Sequence, residues 1–440
     1  MKNSRLILKS LLVTTLLTTG TGLYLSSNTP AEAATLSSTP KSATTGKSIT
    51  TLKLKWQTKA DEVGLYNDHP PLSNGLLFFS KGGNLHAVDI ATGTVKWTYR
   101  NGGTPEIVTR NSVFLINNEG YLVKVEAKTG KLLWKVKAAK PPIEIGAFAE
   151  LLNGTIYFRN ESGGIAAYHP VSGHKLWENK KIPMYVGSII GQYKKVLVVK
   201  STVNNIRTQF FGLDPTRGTI LWRSEGIYSF VAYRDGQLIL RQQANAPYSF
   251  PITPVPGYLV TLTKVDVTTG KVIGEENYKT VTDLSRMGNK HTSLQGSYVY
   301  SVDSNMDKDE AFLNRFTLGQ ASETPPKSYE EFGKWVAGPT HGMIFFQKGT
   351  QITEVNIYNN KIVTFDSLAG SALNLQLMRN GVYTGDDKGN FYIINVATGT
   401  ILGKLKTDAG QYGKVNVVNN TVLIHTEYDI YAVTLPKELQ

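Results

Sequence analysis

The sequence contains no cysteine among its 440 residues. This absence excludes disulfide bonds, thiolate metal sites and a membrane anchor attached through a lipidated cysteine. The fold must therefore be stabilised by packing alone. Hydrophobic residues make up 41% of the chain, which is enough for a sizeable core in a protein of this length.

Long apolar runs are absent beyond the N-terminus. One run, at residues 11–25, follows three basic residues and precedes an Ala-Glu-Ala site at residues 31–33. This pattern predicts a secretory signal peptide over residues 1–33. No second stretch of membrane-spanning length follows in the sequence. We therefore expect a secreted, extracellular protein, either free or loosely associated with the cell wall.

Acidic residues are fewer than basic ones. The 47 Lys and Arg against 34 Asp and Glu give a net charge of +13, and cleavage after residue 33 leaves 44 against 33, or about +11. This balance suits an anionic envelope polymer, although lysines on edge strands also discourage sheet-to-sheet pairing. Arginine and aromatic residues are not clustered, so we do not expect a nucleic-acid partner. Residues 34–51, rich in Ser, Thr and Lys, predict a polar disordered leader.

Catalytic motifs are missing as well. The sequence has no G-x-S-x-G elbow, no H-E-x-x-H pair and no Walker loop. Of its seven histidines only His169 and His174 are close together, and these flank a turn instead of sharing one face of an element. The sequence therefore identifies no catalytic residue and favours a protein without enzymatic activity.

What the sequence does contain is a recurring phrase of fifteen residues. It reads GNLHAVDIATGTVKW at 83–97, GYLVKVEAKTGKLLW at 120–134 and GGIAAYHPVSGHKLW at 163–177, with further copies up to residue 403. In these three copies a Thr-Gly or Ser-Gly pair separates two runs in which apolar and polar residues alternate, and this pattern indicates a β-hairpin. Asp89 precedes the turn and can accept hydrogen bonds from turn N–H groups, and Gly93 can adopt a positive φ. We expect the terminal Trp97 and its counterparts to fill the wedge between neighbouring sheets.

A second strand-turn-strand signal precedes each copy. Its bend is Asn74-Gly75 in the first unit and Asn419-Asn420 in the last, with a weaker signal at Ile190-Gly191. Four antiparallel strands per unit, repeated along the chain, predict an all-β fold consisting of a single β-propeller. Nine inner-hairpin signals can be counted, but the sixth unit is eroded, so the sequence predicts eight or nine blades.

The two ends of the chain complement each other. The last unit lacks its outer strand, whereas residues 52–59 around Trp56 form a strand with no unit of its own. We therefore predict that this strand pairs with residues 431–435 and closes the ring, because closure removes exposed sheet edges.

The repeated phrase, with its apolar strand, Asp, Thr-Gly pair and Trp, resembles the repeat of the PQQ-like β-propellers, which include quinoprotein dehydrogenases and BamB-like assembly proteins. The resemblance covers nearly all of residues 52–435 and implies one propeller domain at 52–440. The dehydrogenase branch uses a vicinal cysteine pair beside the quinone and acidic and amide ligands to calcium. Because this chain has no cysteine, we expect no PQQ and no other bound cofactor apart from calcium.

An acidic insert in the eroded sixth unit carries Asp303, Asn305, Asp307 and Asp309. This spacing places oxygen ligands at alternate positions, as in loops that bind hard cations. It departs from the EF-hand pattern, because Lys308 replaces the glycine of the sharp bend. The insert is therefore either a calcium site or a solvated acidic loop.

A proline-rich insert at residues 242–258 interleaves four prolines with Tyr248, Phe250 and Tyr258. Such a segment cannot join a central strand. It either presents the aromatic residues to a partner, as loops on rigid scaffolds often do, or packs over a blade edge.

Two classes of function remain. The first is a secreted, non-catalytic scaffold, expected to be a monomer, that binds a protein or an anionic cell-envelope polymer. The alternative is an extracellular enzyme, a polysaccharide lyase or hydrolase or a divergent quinoprotein, whose site at the central channel is assembled from several blades. Converging carboxylates, His or Arg at the channel would favour the enzyme.

Overall fold

A computed structural model of the protein describes residues 49–61, 71–140, 146–160, 164–182, 187–203, 207–226, 228–242, 259–279, 287–305, 310–320 and 325–440. Nine four-stranded antiparallel sheets form the blades of a β-propeller. The expected all-β propeller is confirmed, with the higher of the two predicted blade numbers. Within these ranges, two short 3-10 helices, Glu330–Phe332 and Lys437–Leu439, supplement the strands.

Strand β1 (Leu54–Lys59) belongs to the last blade, and the remaining strands fill the blades in chain order, from the innermost strand to the outermost. Blade 1 contains β2 (Leu72–Ser73), β3 (Leu76–Lys81), β4 (Asn84–Asp89) and β5 (Val95–Tyr99). Blade 2 contains β6 (Pro105–Val108), β7 (Ser112–Ile116), β8 (Tyr121–Glu126) and β9 (Leu132–Lys137). Blade 3 contains β10 (Ala147–Leu152), β11 (Thr155–Asn160), β12 (Gly164–Tyr168) and β13 (Lys175–Asn179). Blade 4 contains β14 (Ser188–Tyr193), β15 (Val196–Val203), β16 (Arg207–Leu213) and β17 (Ile220–Gly226). Blade 5 contains β18 (Tyr228–Arg234), β19 (Gln237–Gln242), β20 (Leu259–Asp266) and β21 (Val272–Lys279). Blade 6 contains β22 (Met287–Gln295), β23 (Tyr298–Asn305), β24 (Glu310–Thr317) and β25 (Lys327–Ser328). Blade 7 contains β26 (Lys334–Thr340), β27 (Met343–Lys348), β28 (Gln351–Asn356) and β29 (Ile362–Thr364). Blade 8 contains β30 (Ala372–Met378), β31 (Gly381–Asp386), β32 (Asn390–Asn395) and β33 (Ile401–Lys406). Blade 9 contains β34 (Asn416–Val418), β35 (Thr421–His425), β36 (Asp429–Thr434) and β1.

The ring closes through both chain ends, as predicted. Strand β1 pairs antiparallel with β36, and Trp56 lies opposite Ala432. Just before β1 the chain also joins blade 8: the Leu52 N–H donates to the Lys404 carbonyl at 2.8 Å and the Lys404 N–H donates to the Thr50 carbonyl at 2.9 Å. Residues 50–52 therefore add to the outer edge of β33.

The core lies between the blades. Nine clusters of buried apolar side chains each join two neighbouring blades. Adjacent residues serve opposite interfaces, since Phe345 packs towards blade 8 and Phe346 towards blade 6. Side chains alternate across a strand, and second and third strands that are buried on both faces, such as β7 and β12, therefore appear in the sequence as continuous apolar runs.

The recurring phrase has the structural roles that the sequence predicts. The Asp89 carboxylate accepts hydrogen bonds from the N–H groups of Ala91 and Thr92, both at 3.0 Å, and Gly93 adopts a φ of 71°. The indole of Trp56 donates to the Ile90 carbonyl of the next blade at 2.8 Å. Within the phrase, the indoles of Trp97, Trp177 and Trp222 likewise donate to carbonyls of the next blade, at 2.8–3.1 Å, so these copies link their blades to the following ones.

One turn lies elsewhere than the sequence signal placed it. In blade 4 the predicted bend at Ile190-Gly191 is wrong: these residues lie within β14, at an irregularity in its pairing with β15. The chain instead turns after Tyr193, where Lys194 adopts a φ of 53°. A lysine in the left-handed region gives no turn signal, because that conformation is typical of Gly, Asn and Asp.

Strand direction divides the connections between two faces of the ring. The first-to-second and third-to-fourth strand turns lie on one side, which we call the hairpin face. The second-to-third turns and the crossings to the next blade lie on the other, the loop face. Contacts between neighbouring inner turns support this arrangement, since Asn74 Nδ2 donates to the Arg110 carbonyl at 2.6 Å.

Candidate functional site

The two predicted recognition inserts belong to neighbouring blades and the same face. The proline-rich segment connects β19 to β20 in blade 5, and the acidic segment connects β23 to β24 in blade 6. Both are second-to-third strand connections, so the strand ends that flank them lie on the loop face. These strand ends belong to neighbouring blades although the two inserts are well separated in the sequence.

The residues named in these inserts are only partly within the described structure. Asp303 and Asn305 lie in the last three residues of β23, whereas Asp307 and Asp309 lie outside the described residues, as do Tyr248, Phe250 and Tyr258. Within the described ranges, no three His, Asp or Glu side chains are grouped closely enough to hold a metal ion. The calcium site and the aromatic contact site therefore stay predictions.

The channel wall contains one group of converging charges. In the innermost strands that the structure describes, the acidic residues are Glu106 in β6 and Glu150 in β10. Arg159 Nε lies 3.5 Å from Glu150 Oε1, and its guanidinium covers the ring of Phe148 at 4.2 Å. Glu106 Oε2 accepts a hydrogen bond from the Ala149 N–H at 3.2 Å. The group thus joins the inner strands of blades 2 and 3.

Burial governs the ionisation of the Glu106 carboxyl. Desolvation raises the pKa of Glu106 to about 7, against a smaller lowering by its hydrogen bond from Ala149 and by Arg159. A buried carboxyl that already accepts a backbone hydrogen bond is poorly placed to meet a polymeric substrate. Its arrangement therefore favours a role in joining two blades.

We expect Glu106→Gln to change the pH dependence of stability. The folded-state pKa is raised, so the contribution of Glu106 is fully present below the unfolded pKa near 4.5 and is lost as pH rises through about 7. Glutamine cannot ionise and its amide oxygen can still accept from Ala149. The difference in unfolding free energy, variant minus parent, should therefore increase between pH 4.5 and 7, by on the order of 3 kcal/mol at most.

Denaturant unfolding of both proteins across this pH range measures the difference. A difference that stays constant with pH would show that Glu106 titrates normally in the folded protein. Since both proteins share every other titrating group, including buried His425, whose pKa desolvation lowers to about 4, the comparison isolates Glu106.

The strongest concentration of charge lies on blade 2. Between Tyr121 and Lys140 the chain has six lysines and one glutamate. Five of these lysines are exposed on β9 and its flanks: Lys128, Lys131, Lys135, Lys137 and Lys140. We call these five the lysine strand.

Two of its members are held over an aromatic ring. The ammonium groups of Lys135 and Lys137 lie 5.1 and 4.8 Å from the ring centre of Tyr121. Residues two apart share one face of a strand, so these charges repeat at about 6.6 Å. The single acidic side chain, Glu126, accepts a hydrogen bond from the hydroxyl of Thr129 in its own turn.

An outer strand of this propeller does not require lysine at these positions. The residue that follows the strand tryptophan is Lys135 in blade 2, but Glu178 in blade 3. Protection of edge strands against pairing, the role that the sequence suggests for lysines in general, therefore does not explain this concentration. The signal that could have revealed it is the run of six lysines in twenty residues.

No helix among the described residues is both long and apolar enough to cross a membrane.

Comparisons with known proteins point to one family. Residues 41–187 match the family model described as outer membrane protein assembly factor BamB. Over 110 residues the chain is 29% identical to the dehydrogenase subunit of a quinone alcohol dehydrogenase from Gluconacetobacter polyoxogenes, a match that covers 22% of this chain and 15% of that protein. The counterpart from Komagataeibacter europaeus gives the same values.

Solved structures of similar shape include BamB from Moraxella catarrhalis, with 14% identity, a TM-score of 0.43, and coverage of 87% of this chain and 100% of that one. Quinohemoprotein alcohol dehydrogenase from Comamonas testosteroni has 12% identity and a TM-score of 0.43, covering 87% and 76%. The nine four-stranded blades show that the chain is a β-propeller, and residues 41–187 of it, with their copies of the recurring hairpin phrase, are similar to the PQQ-like family model.

Proposed function

We propose that this protein is a secreted, non-catalytic scaffold that binds an anionic polymer of the cell envelope through the lysine strand. The observation that carries the proposal is the excess of six lysines over one glutamate on blade 2, with five of the lysines exposed on β9 and its flanks. A row of cations at fixed spacing attracts a chain of repeated anions, and the affinity grows as counterions are released.

The rival function, an enzyme at the channel, has weaker support. The carboxyl of Glu106 is buried and bonded to Ala149, and Glu150 is paired with Arg159. For a quinoprotein the donor set does not fit, because the chain has no cysteine and the described residues include no grouping suited to a metal. We therefore propose that the protein functions without PQQ.

The remaining expectations accompany this proposal. Export through a signal peptide at residues 1–33 rests on the sequence pattern alone. A calcium ion at Asp303, Asn305, Asp307 and Asp309, and partner contact through Tyr248, Phe250 and Tyr258, would add functions on blades 5 and 6, apart from the polymer site on blade 2. We also propose that the protein is a monomer and that its loop face binds a protein partner.

Polymer binding is tested with poly(glycerol phosphate) as the probe and neutral dextran as its uncharged counterpart. The parent should bind the phosphate polymer and not dextran. The triple variant Lys131→Gln, Lys135→Gln, Lys137→Gln should bind at least tenfold more weakly in low salt. The slope of log affinity against log salt should fall by about 0.7–0.9 for each phosphate that the variant no longer neutralises.

A matched control changes the same charge elsewhere. Lys348, Lys361 and Lys437 are exposed on blade 7 and at the C-terminus, and their replacement by glutamine should leave binding within about twofold of the parent. Equal losses of affinity in the two triple variants would assign binding to net charge alone and contradict a site on blade 2.

A further inference from the structure

A second surface on the hairpin face combines aliphatic and basic side chains. In blades 1 to 5 the second and third residues after each turn glycine begin the outer strand. At these ten positions eight side chains are aliphatic and two are lysine. Among the aliphatic ones, Val95, Leu133, Leu176, Leu221, Val272 and Ile273 are each between 47% and 57% exposed. We call the aliphatic side chains at these positions the aliphatic belt.

Exposure is not inherent in these positions. The corresponding residue of blade 8 is Ile401, which is buried, and its N–H donates to Asp366 at 3.0 Å. In blade 7 the corresponding Ile362 is only partly exposed, and Val363, which follows it, is buried. The same residue type is thus covered on one side of the ring and open to solvent on the other.

Basic residues accompany the belt. Lys96, Lys131, Lys175, Arg217 and Lys271 lie in or beside the same five turns and are exposed. The acidic residues of these turns are occupied locally: the Asp214 carboxylate, for example, accepts from the N–H groups of Thr216 and Arg217 at 2.8 and 3.1 Å. Two of the cations also have acidic neighbours, since Lys96 Nζ lies 3.5 Å from Asp89 Oδ2 and Lys175 Nζ lies 2.9 Å from Glu178 Oε2. The surface thus combines exposed aliphatic groups with basic side chains.

From this geometry we infer that the hairpin face of blades 1 to 5 docks on an anionic lipid bilayer. All five turns lie on one face of the ring, so a flat surface can touch them together. Aliphatic groups can enter the interface between headgroups and acyl chains, while Lys and Arg contact lipid phosphates. Positive charge on the protein complements negative charge on the lipid.

A lipid surface fits this face better than a protein partner does. The belt repeats Val, Leu and Ile from blade to blade, whereas protein hot spots are enriched in Trp, Tyr and Arg that fill pockets. The two surfaces share Lys131, but this inference does not require polymer binding, because the belt is defined by its aliphatic side chains and the lysine strand by its charges.

Vesicle flotation tests the inference with the full mature chain. Vesicles of phosphatidylcholine with about 30% phosphatidylglycerol, a composition that gives the membrane a negative surface potential, are compared with pure phosphatidylcholine. The parent should bind the anionic vesicles at least tenfold more tightly, and binding should weaken several-fold when salt is raised, because exposed charges are screened.

The decisive variant keeps every charge. Leu133→Gln, Leu176→Gln, Leu221→Gln and Ile273→Gln together should weaken vesicle binding at least tenfold, while leaving the melting temperature and poly(glycerol phosphate) binding unchanged. A control with Tyr358→Gln and Tyr428→Gln alters exposed apolar side chains of blades 7 and 9, outside the belt, and should bind vesicles as the parent does.

Three results would overturn the inference. The first is a parent that does not float with anionic vesicles, and the second is a belt variant that floats as well as the parent. The third is concentration-dependent self-association of the lipid-free parent that the belt variant loses, which would make the belt a protein interface. Failure of poly(glycerol phosphate) binding would contradict only the polymer site.

Discussion

Removal of β1 is expected to abolish cooperative unfolding of the propeller. A chain that begins at Ala60 lacks the strand that pairs with β36, so blade 9 loses its outer strand and Trp56 leaves the cluster that joins blades 9 and 1. The edge of β36 is then exposed, and two neighbouring interfaces lose packing. Thermal unfolding followed by circular dichroism should show a broad, non-cooperative transition.

The matched control is a chain that begins at Ile49, which retains residues 50–52 and β1 and should melt like the parent. If the chain without β1 fails to accumulate, Trp56→Ala provides the milder measurement. Loss of this buried ring and its hydrogen bond to Ile90 should cost about 3–5 kcal/mol. A chain lacking β1 that melts as sharply as the control would contradict the role of closure.

The second large effect is expected at the turn glycines that contact tryptophan. A Cβ added to Gly218 would lie 2.2 Å from Trp177, and Gly218 has a φ of 69°. Gly218→Ala therefore combines backbone strain with a steric clash, which only displacement of the indole can relieve. The expected loss of stability is about 1–2 kcal/mol for the left-handed conformation and about 1–3 kcal/mol more for overpacking.

Gly154→Ala separates these two contributions. Gly154 has a φ of 78°, yet a Cβ there would meet no described atom within 4 Å. Its substitution should cost only the conformational part of the free energy. Denaturant unfolding of both variants gives the difference, which measures the clash with tryptophan. Equal destabilisation at the two glycines would show that the indole moves aside freely.

Local chemistry explains why so much of the fold could be predicted. Asp89 and Gly93 act within one turn, so their roles follow from spacing alone. Ring closure by the strand of Trp56 was also predictable. With four strands in each unit, the last unit lacks its outer strand, and the strand at the N-terminal end has no unit of its own. The bend in blade 4 was not, since Lys194 adopts a conformation that its residue type seldom takes.

The candidate sites were harder to predict because they depend on contacts between blades. Nothing in the spacing of Glu106 and Arg159 indicates that they influence each other, yet they belong to neighbouring blades and share one charged group. The aliphatic belt was equally hidden. Val95 and Ile401 occupy the same place in the phrase, and only the fold decides that one is exposed and the other covered.

Closure by the two chain ends also limits when the protein can finish folding during synthesis. Lys59 pairs with Asp429, and at about 5–20 residues per second the ribosome needs roughly 20–70 s to make the chain between them. Throughout that interval β1 has no partner strand, while the blades in between can already assemble one after another. The first strand to be made is thus the last to be used, and a nascent chain remains an open ring until its final residues emerge.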